Sequence, residues 1–195
     1  MELIEVKTNI GTKKKQLLTI NNDIEDKELQ LFSNSPNIFL PGRSGEQFNL
    51  PKNGSANIYF VLFPKTTNRK EAILNCVDVG RREAFKSWLI KYDTLKPKIE
   101  DVVEVNCKIG TITNFQYKFI NPLDEEITLF FESDNENFLN VVDTQVDFMG
   151  NETKKIRFSA SVQRQVGNKE VLMFVYNDDD TFSQTLLFKL IYNSS

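Results

Sequence analysis

The chain has 195 residues, of which 24 are Lys or Arg and 27 are Asp or Glu, so its net charge is −3. It contains no histidine, which excludes Ser-His-Asp and Cys-His catalytic groups and most zinc sites. No run approaches the roughly eighteen apolar residues of a transmembrane helix, and the charged residues close to Met1 argue against a signal peptide. We therefore predict a cytoplasmic, non-enzymatic protein with no catalytic residue, cofactor, metal site or direct membrane insertion.

Most of the chain alternates apolar and polar residues with the period of β-strands, and helical periodicity is nearly absent. In the first half, strands are predicted around Leu3–Val6 and at 16–20, 27–33, 47–50, 56–63, 70–77 and 84–92. After a short link at Asp93–Pro97, further strands are predicted at 99–107, 115–120, 127–132, 145–148, 153–162, 169–176 and 182–192. About seven strands per half predict two tandem immunoglobulin-like β-sandwiches, residues 1–95 and 96–195, which resemble the major-sperm-protein kind.

The second half repeats the organisation of the first. Phe115–Phe131 contains two apolar runs separated by Asn121-Pro122, a pattern that predicts a β-hairpin. Gln16–Phe32 has the same arrangement about a hundred residues earlier. Later blocks also match in order, ending with Trp88–Tyr92 in the first half and Phe188–Tyr192 in the second. The matched order indicates an internal duplication.

Charge is distributed unequally between the halves. Residues 1–96 hold 15 basic and 11 acidic residues, a net charge of +4, whereas residues 97–195 hold 9 and 16, a net charge of −7. In an immunoglobulin-like strand order, the basic loops of the first sandwich and the acidic turns of the second lie at the ends that face each other. The expected contact residues are Lys13, Lys14, Lys15, Lys65, Arg69 and Lys70 on one side and Asp124, Glu125, Glu126, Asp178, Asp179 and Asp180 on the other. Domain angles that vary widely in solution at low salt would disprove such a joint.

Other interpretations of these charges stay open. Both groups could be solvated turns, because exposed ion pairs contribute only about 0–1 kcal/mol each. A cation site at 177–180 is disfavoured because the run lacks the spaced ligands and glycine of a calcium loop. Nucleic acid is disfavoured as a partner because the chain is acidic and its basic residues lack interleaved exposed aromatics.

Phenylalanines fall mainly at alternating strand positions, which indicates core packing. Phe130 and Phe131 are adjacent, so a regular strand must direct one of them away from the core. We take these two residues, with Phe138 in the following loop, as candidate exposed aromatic contacts. Cys76 and Cys107 lie in different halves and within predicted strands, so both are expected to be buried, reduced thiols.

Several blocks occur in an order that resembles the C-terminal end of the nephrocystin-4 family. The blocks are LNCVDV at 74–79, SWL at 87–89, YKFINP at 117–122, EVL at 170–172, YND at 176–178 and KLIY at 189–192. No single block is very specific. The order and spacing of the blocks and the end of the chain just after Tyr192 are specific when taken together. The resemblance covers residues 71–192 well and implies that the chain is the C-terminal end of a longer protein.

That resemblance implies a non-enzymatic scaffold of the ciliary transition zone and basal body, involved in cilium assembly and gating. It also implies protein partners, namely nephrocystin-1 and the RPGRIP1-like protein. An alternative from a different class is a major-sperm-protein-type module that binds acidic or phosphorylated peptides through Lys13–Lys15, Arg81 and Arg82. Against this alternative, Arg81 and Arg82 are expected at the same end as Asp23, Glu25 and Asp26, whose carboxylates would neutralise them.

Overall fold

The computed structural model describes residues 1–40, 47–66, 70–178 and 182–194. The chain divides into two compact units, Met1–Lys96 (unit 1) and Pro97–Ser195 (unit 2). Within the described ranges every regular element is a β-strand, which confirms the predicted all-β class.

In its described residues unit 1 has eight strands, whereas the sequence predicts about seven. They are β1 (Glu2–Asn9), β2 (Lys14–Asn22), β3 (Lys27–Ser33), β4 (Ile38–Phe39), β5 (Gln47–Leu50), β6 (Gly54–Leu62), β7 (Lys70–Asp78) and β8 (Glu83–Leu95). The additional strand, β4, lies in a stretch whose prolines predict only a break in the pattern. It forms because Ile38 is buried and pairs with Leu62 of β6.

Unit 2 repeats this order of elements. Its strands are β9 (Asp101–Lys108), β10 (Thr113–Ile120), β11 (Ile127–Ser133), β12 (Leu139–Val141), β13 (Gln145–Phe148), β14 (Thr153–Ala160), β15 (Gly167–Tyr176) and β16 (Ser183–Asn193). The predicted link at Asp93–Pro97 is wrong in its first residues, because β8 continues to Leu95, which pairs with Asn9 of β1.

The described part of each unit forms a five-stranded and a three-stranded sheet. In unit 1 the strand orders are β1-β8-β7-β3-β5 and β2-β6-β4, and in unit 2 they are β9-β16-β15-β11-β13 and β10-β14-β12. The first strand of each unit pairs in parallel with the last, as Ile4 does with Ile90 and Glu104 with Lys189. Apolar side chains of both sheets form one core per unit.

The predicted hairpins are wrong. β10 and β11 belong to different sheets, as do their counterparts β2 and β3, so each predicted turn is a corner where the chain crosses the sandwich. Both runs of each pair do place apolar side chains in the same core, including Phe119 and Phe131, whose ring centroids are 5.4 Å apart. Alternation identifies which residues face the core but not which sheet a strand joins.

A fully buried asparagine holds the corner in each unit. Asn121 Nδ2 donates to the carbonyl oxygens of Glu125 and Met149, both at 2.9 Å, and its Oδ1 accepts from the Leu123 amide at 3.0 Å. Asn22 Nδ2 donates to Glu25 O at 2.6 Å and to Leu50 O and Pro51 O, both at 3.1 Å. The asparagine therefore ties the corner to the turn that follows β13 in unit 2 and β5 in unit 1.

In unit 2 the turn after β13 also packs closely against the corner between β10 and β11. A Cβ atom added to Gly150 would lie 2.1 Å from the carbonyl oxygen of Asp124. Such a contact is too short for a side chain, so only glycine fits against the corner.

Cys76 and Cys107 are free thiols, exposed by 0% and 3%, which confirms the expectation of buried, reduced cysteines. Burial raises the pKa of Cys76 to about 12 and also raises the pKa of Cys107.

Because the thiolate is the reactive form of cysteine, we expect Cys76 and Cys107 to react with the disulfide reagent DTNB at pH 8 only as fast as their unit unfolds. Peptide mapping of the labelled chain measures the two rates. Fast labelling of either cysteine in the folded chain would contradict the prediction.

Candidate interaction surfaces

Five of the six basic residues predicted from the sequence lie at one end of unit 1, where β8 finishes. Ile10 N donates to Leu95 O at 3.0 Å and Gly11 N to Pro64 O at 2.8 Å, which brings the loop before β2 and the loop after β6 to the end of β8. Lys14 and Lys15 were expected in the first loop but begin β2, because their backbones continue the ladder with β6. Lys70 likewise begins β7.

These basic side chains differ in their surroundings. Lys14 Nζ donates to Lys7 O at 2.8 Å, Lys15 Nζ lies 3.8 Å from the ring centroid of Tyr59, and Lys70 Nζ donates to Thr66 Oγ1 at 2.6 Å. Lys65 Nζ lies 6.0 Å from the ring centroid of Phe63, and Lys13 is half-buried. Arg69 lies outside the described residues.

Four of the six predicted acidic residues lie at the end of unit 2 where β9 begins. Asp124, Glu125 and Glu126 are exposed in the corner between β10 and β11, and Asp178 is exposed two residues after β15 ends. Asp179 and Asp180 lie outside the described residues. That the acidic and basic groups meet between the domains stays a prediction.

The three candidate aromatics have different environments. The prediction that Phe131 is an exposed contact is wrong, because Phe131 is only 2% exposed and packs in the core against Phe119 and Phe148. Phe130 lies half-buried on the opposite face of β11 and stacks on Tyr176 with centroids 5.8 Å apart. Phe138 is half-buried against the core, and Lys169 Nζ lies 5.1 Å from its ring centroid. Phe130 and Phe138 thus keep part of their surface accessible.

The opposite end of unit 1 carries an ion-pair cluster. Lys27 Nζ lies 2.9 Å from Asp78 Oδ2 and 3.4 Å from Glu25 Oε1, and Arg81 forms a further ion pair with Glu25. This confirms that Arg81 lies beside acidic residues. The pairing weakens the phosphopeptide alternative because the Arg81 guanidinium already has a carboxylate partner.

The cluster predicts an acid-sensitive contribution to the stability of unit 1. The hydrogen bond from Lys27 holds the pKa of Asp78 below its ordinary value. A folded-state pKa below the unfolded value stabilises the fold fully above the unfolded pKa of about 3.9, and the contribution is lost as pH falls through the folded pKa. We therefore expect the unfolding free energy of the Asp78→Asn variant to fall less below about pH 4 than that of the unsubstituted chain.

Trp88 is the single tryptophan and is 1% exposed, so its fluorescence follows the unfolding of unit 1 alone. Urea titrations at several pH values measure the effect, with the exposed carboxyl variant Asp23→Asn as the matched control. If Asp78→Asn and the unsubstituted chain lose the same unfolding free energy below about pH 4, the ion pair does not contribute to the stability of unit 1.

Among the described residues there is no group of three or more His, Cys, Asp or Glu side chains arranged to hold a metal ion. No helix in those ranges is long and apolar enough to cross a membrane.

β2 and β10 are equivalent edge strands of the two three-stranded sheets, and their outer edges differ between the repeats. In β14, Arg157 O accepts from Val142 N at 3.0 Å, and Ser161 N, just beyond the strand, donates to Phe138 O at 2.9 Å. Consecutive residues of a strand direct their backbone groups to opposite sides, so the intervening β14 residues bond to Thr113, Phe115, Tyr117 and Phe119 of β10. The backbone groups of Asn114, Gln116, Lys118 and Ile120 therefore line the outer edge of β10.

By the same reasoning the outer edge of β2 is lined by Lys15, Leu17, Thr19 and Asn21, because Phe63 N, just after β6, bonds to Asn37 O beside β4. Two side chains cover part of this edge: Gln16 Nε2 donates to Lys15 O at 3.0 Å and Lys86 Nζ to Thr19 O at 3.5 Å. Over residues 1–40, 47–66, 70–178 and 182–194, no side chain makes a comparable bond to the outer edge of β10. Unit 2 therefore presents an open strand edge where unit 1 presents a partly blocked one.

Comparison with known proteins gives a consistent assignment for both units. Residues 10–94 match the family model of NPH4 Ig-like domain 3, and residues 101–193 match that of NPH4 Ig-like domain 4. Human nephrocystin-4 is 22% identical over 194 residues, covering 98% of this chain and 14% of that protein. Nephrocystin-4 of Xenopus laevis is 26% identical over 149 residues, covering 74% of this chain and 10% of that protein. The chain thus spans only 10% to 14% of the length of these curated relatives.

Solved structures share lower similarity. SSP-19 from Caenorhabditis elegans, an MSP-domain protein like family member, has a TM-score of 0.37 and 12% identity, covering 46% of this chain and 94% of that chain. PapD-like domain 7 of human CEP192 has a TM-score of 0.35 and 14% identity, covering 50% of this chain and 83% of that chain. The two matched family models together account for nearly all of both sandwiches. The chain belongs to the nephrocystin-4 family and comprises two of its Ig-like domains, the third and the fourth.

Proposed function

We propose that this chain is a non-catalytic docking region of a ciliary transition-zone scaffold. The observation that carries the proposal is the match of both sandwiches to consecutive nephrocystin-4 Ig-like domains. In this role the domains bind other proteins, with nephrocystin-1 and the RPGRIP1-like protein as the proposed partners, and contribute to cilium assembly and gating at the basal body.

Both the buried thiols and the exposed surface support docking rather than catalysis. Buried ionisable groups such as Cys76 and Cys107 have pKa values raised by desolvation, which makes them poor nucleophiles. Exposed features are of the kind used in protein recognition, namely open strand edges and partly exposed aromatic rings. Phe130 with Tyr176 and Phe138 with Lys169 are two such aromatic sites.

Localisation in ciliated cells tests the proposal. A fluorescently tagged version of the chain should concentrate at the ciliary base, and a tandem of unrelated Ig-like domains with the same tag is the control. Equal diffuse distribution of the two proteins would overturn the proposed role.

A further inference from the structure

We propose that the outer edge of β10 binds an extended segment of a partner protein as an added β-strand, and that this segment alternates acidic and apolar residues. The inference deepens the docking role proposed above and rests on it. The site is the edge formed by Asn114, Gln116, Lys118 and Ile120.

The backbone of β10 determines that the ligand is extended. An edge strand offers a row of N–H and C=O groups that only another strand can pair along its length. Here four of the eight residues of β10 contribute to the row, which spans 114–120. Within the described residues it is free of side-chain bonds like those that occupy Lys15 O and Thr19 O at the equivalent edge of unit 1.

The charge on the outer face determines that the ligand is acidic. Lys118 lies directly opposite Lys155 in the register of β10 and β14, and both side chains are exposed. Within the described parts of the chain, neither lysine forms an ion pair. Like charges directly opposite each other destabilise a sheet, so a carboxylate on an added strand beside Lys118 would relieve this repulsion.

The equivalent pair in unit 1 is Thr19 and Asn57, which are neutral and joined by a hydrogen bond of 2.9 Å. Unit 1 has no corresponding charge requirement at this position. The unbalanced lysine pair, like the open edge, is therefore specific to unit 2.

The inner side of the same edge determines that the alternate residues are apolar. Phe115 and Tyr117 face the core but stay partly accessible, and Val103 of β9 is half-buried across the sandwich. Successive side chains of an added strand point to opposite faces. Those beside Phe115 and Tyr117 would extend the core, while those beside Lys118 would face solvent and carry the acidic groups.

A second copy of the chain fits this edge less well. Pairing β10 with another β10 would add further lysines to an edge that already carries the Lys118 and Lys155 charges. The chemistry of the edge therefore favours a different protein segment.

Binding of a defined peptide to the whole chain tests the inference. The probe is an acetylated nonapeptide of alternating Val and Glu, and a peptide of alternating Val and Lys is the charge control. With nitrogen-15-labelled protein, the acidic peptide should shift the amide signals of residues 113–120 and slow hydrogen exchange at Gln116 and Lys118. Shifts confined to other strands, or equal binding of both peptides, would overturn the inference.

Two kinds of variant sharpen the test. Gln116→Pro removes an outward N–H without breaking a bond to β14, and we expect it to weaken binding by about tenfold or more through the lost backbone bonds. Leu17→Pro, at the corresponding outward position of β2, is the matched control and should leave binding unchanged. Lys118→Glu combined with Lys155→Glu should reverse the preference so that the Val–Lys peptide binds better.

The remaining outcomes are also decisive. Binding that survives Gln116→Pro, or that Leu17→Pro weakens equally, would overturn strand addition at β10. A peptide-free dimer that Gln116→Pro dissociates would assign the edge to a second copy instead. Failure of these tests leaves ciliary localisation of the chain unaffected, whereas diffuse localisation with intact peptide binding would overturn only the proposed ciliary role.

Discussion

Phe131→Ala is expected to lower the unfolding free energy of unit 2 by about 3–5 kcal/mol, the cost typical of removing a buried aromatic ring. Phe131 is 2% exposed and sits between Phe119 and Phe148, with ring centroids at 5.4 and 6.5 Å. A truncation here leaves a cavity in the centre of the aromatic core. Because a domain of this kind is stabilised by only about 5–15 kcal/mol, the loss is a large part of the total.

Phe130→Ala is the matched control because it removes the same ring from the neighbouring residue. Phe130 is half-buried and stacks on Tyr176 outside the core, so we expect a cost of about 1 kcal/mol. Native-state hydrogen exchange, resolved by peptide, reports the two units of the intact chain separately. Equal losses for the two variants would contradict the orientation of β11.

Asn121→Ala is expected to destabilise unit 2 by about 3 kcal/mol, because it removes three hydrogen bonds made by a fully buried side chain. The carbonyl oxygens of Glu125 and Met149 each accept from Asn121 Nδ2 at 2.9 Å, and the Leu123 amide donates to Asn121 Oδ1 at 3.0 Å. Asn121→Asp should be more harmful still, since a carboxylate oxygen would then face these carbonyl oxygens in a fully buried position.

The repeat provides the control for this prediction. Asn22→Ala removes the corresponding side chain from unit 1, where it bonds to Glu25 O, Leu50 O and Pro51 O. It should accelerate exchange in residues 1–96 and not in residues 97–195. If Asn121→Ala leaves exchange in unit 2 unchanged, the buried asparagine does not hold the corner.

The two-residue period and the duplication could be predicted from the sequence. A strand with one face buried has apolar residues on that face and polar residues on the other. The pattern of β11 even contained the signal that separates its two phenylalanines. Thr128 and Glu132 share a face with Phe130, whereas Leu129 shares a face with Phe131. Polar neighbours on the same face therefore indicate that Phe130 points outward.

The corners between sheets, the short strands and the covered edge of β2 could not be predicted from the sequence, for physical reasons. A hairpin and a corner between sheets produce the same alternation, so the pattern of Phe115–Phe131 could not distinguish them. β4 and β12 have two and three residues, too few for a period to be recognised. One of the two side chains that cover the β2 edge is Lys86, which is 67 residues from Thr19 along the chain, and local patterns do not contain such contacts.

Affinity capture from ciliated cells, quantified by mass spectrometry, tests most directly whether the chain docks proteins of the transition zone. The purified chain is compared with a tandem of unrelated Ig-like domains at the same bait concentration. If the chain is the proposed docking region, transition-zone proteins, including nephrocystin-1 and the RPGRIP1-like protein, are enriched on the chain alone. Capture of no ciliary protein above the control would exclude this docking role.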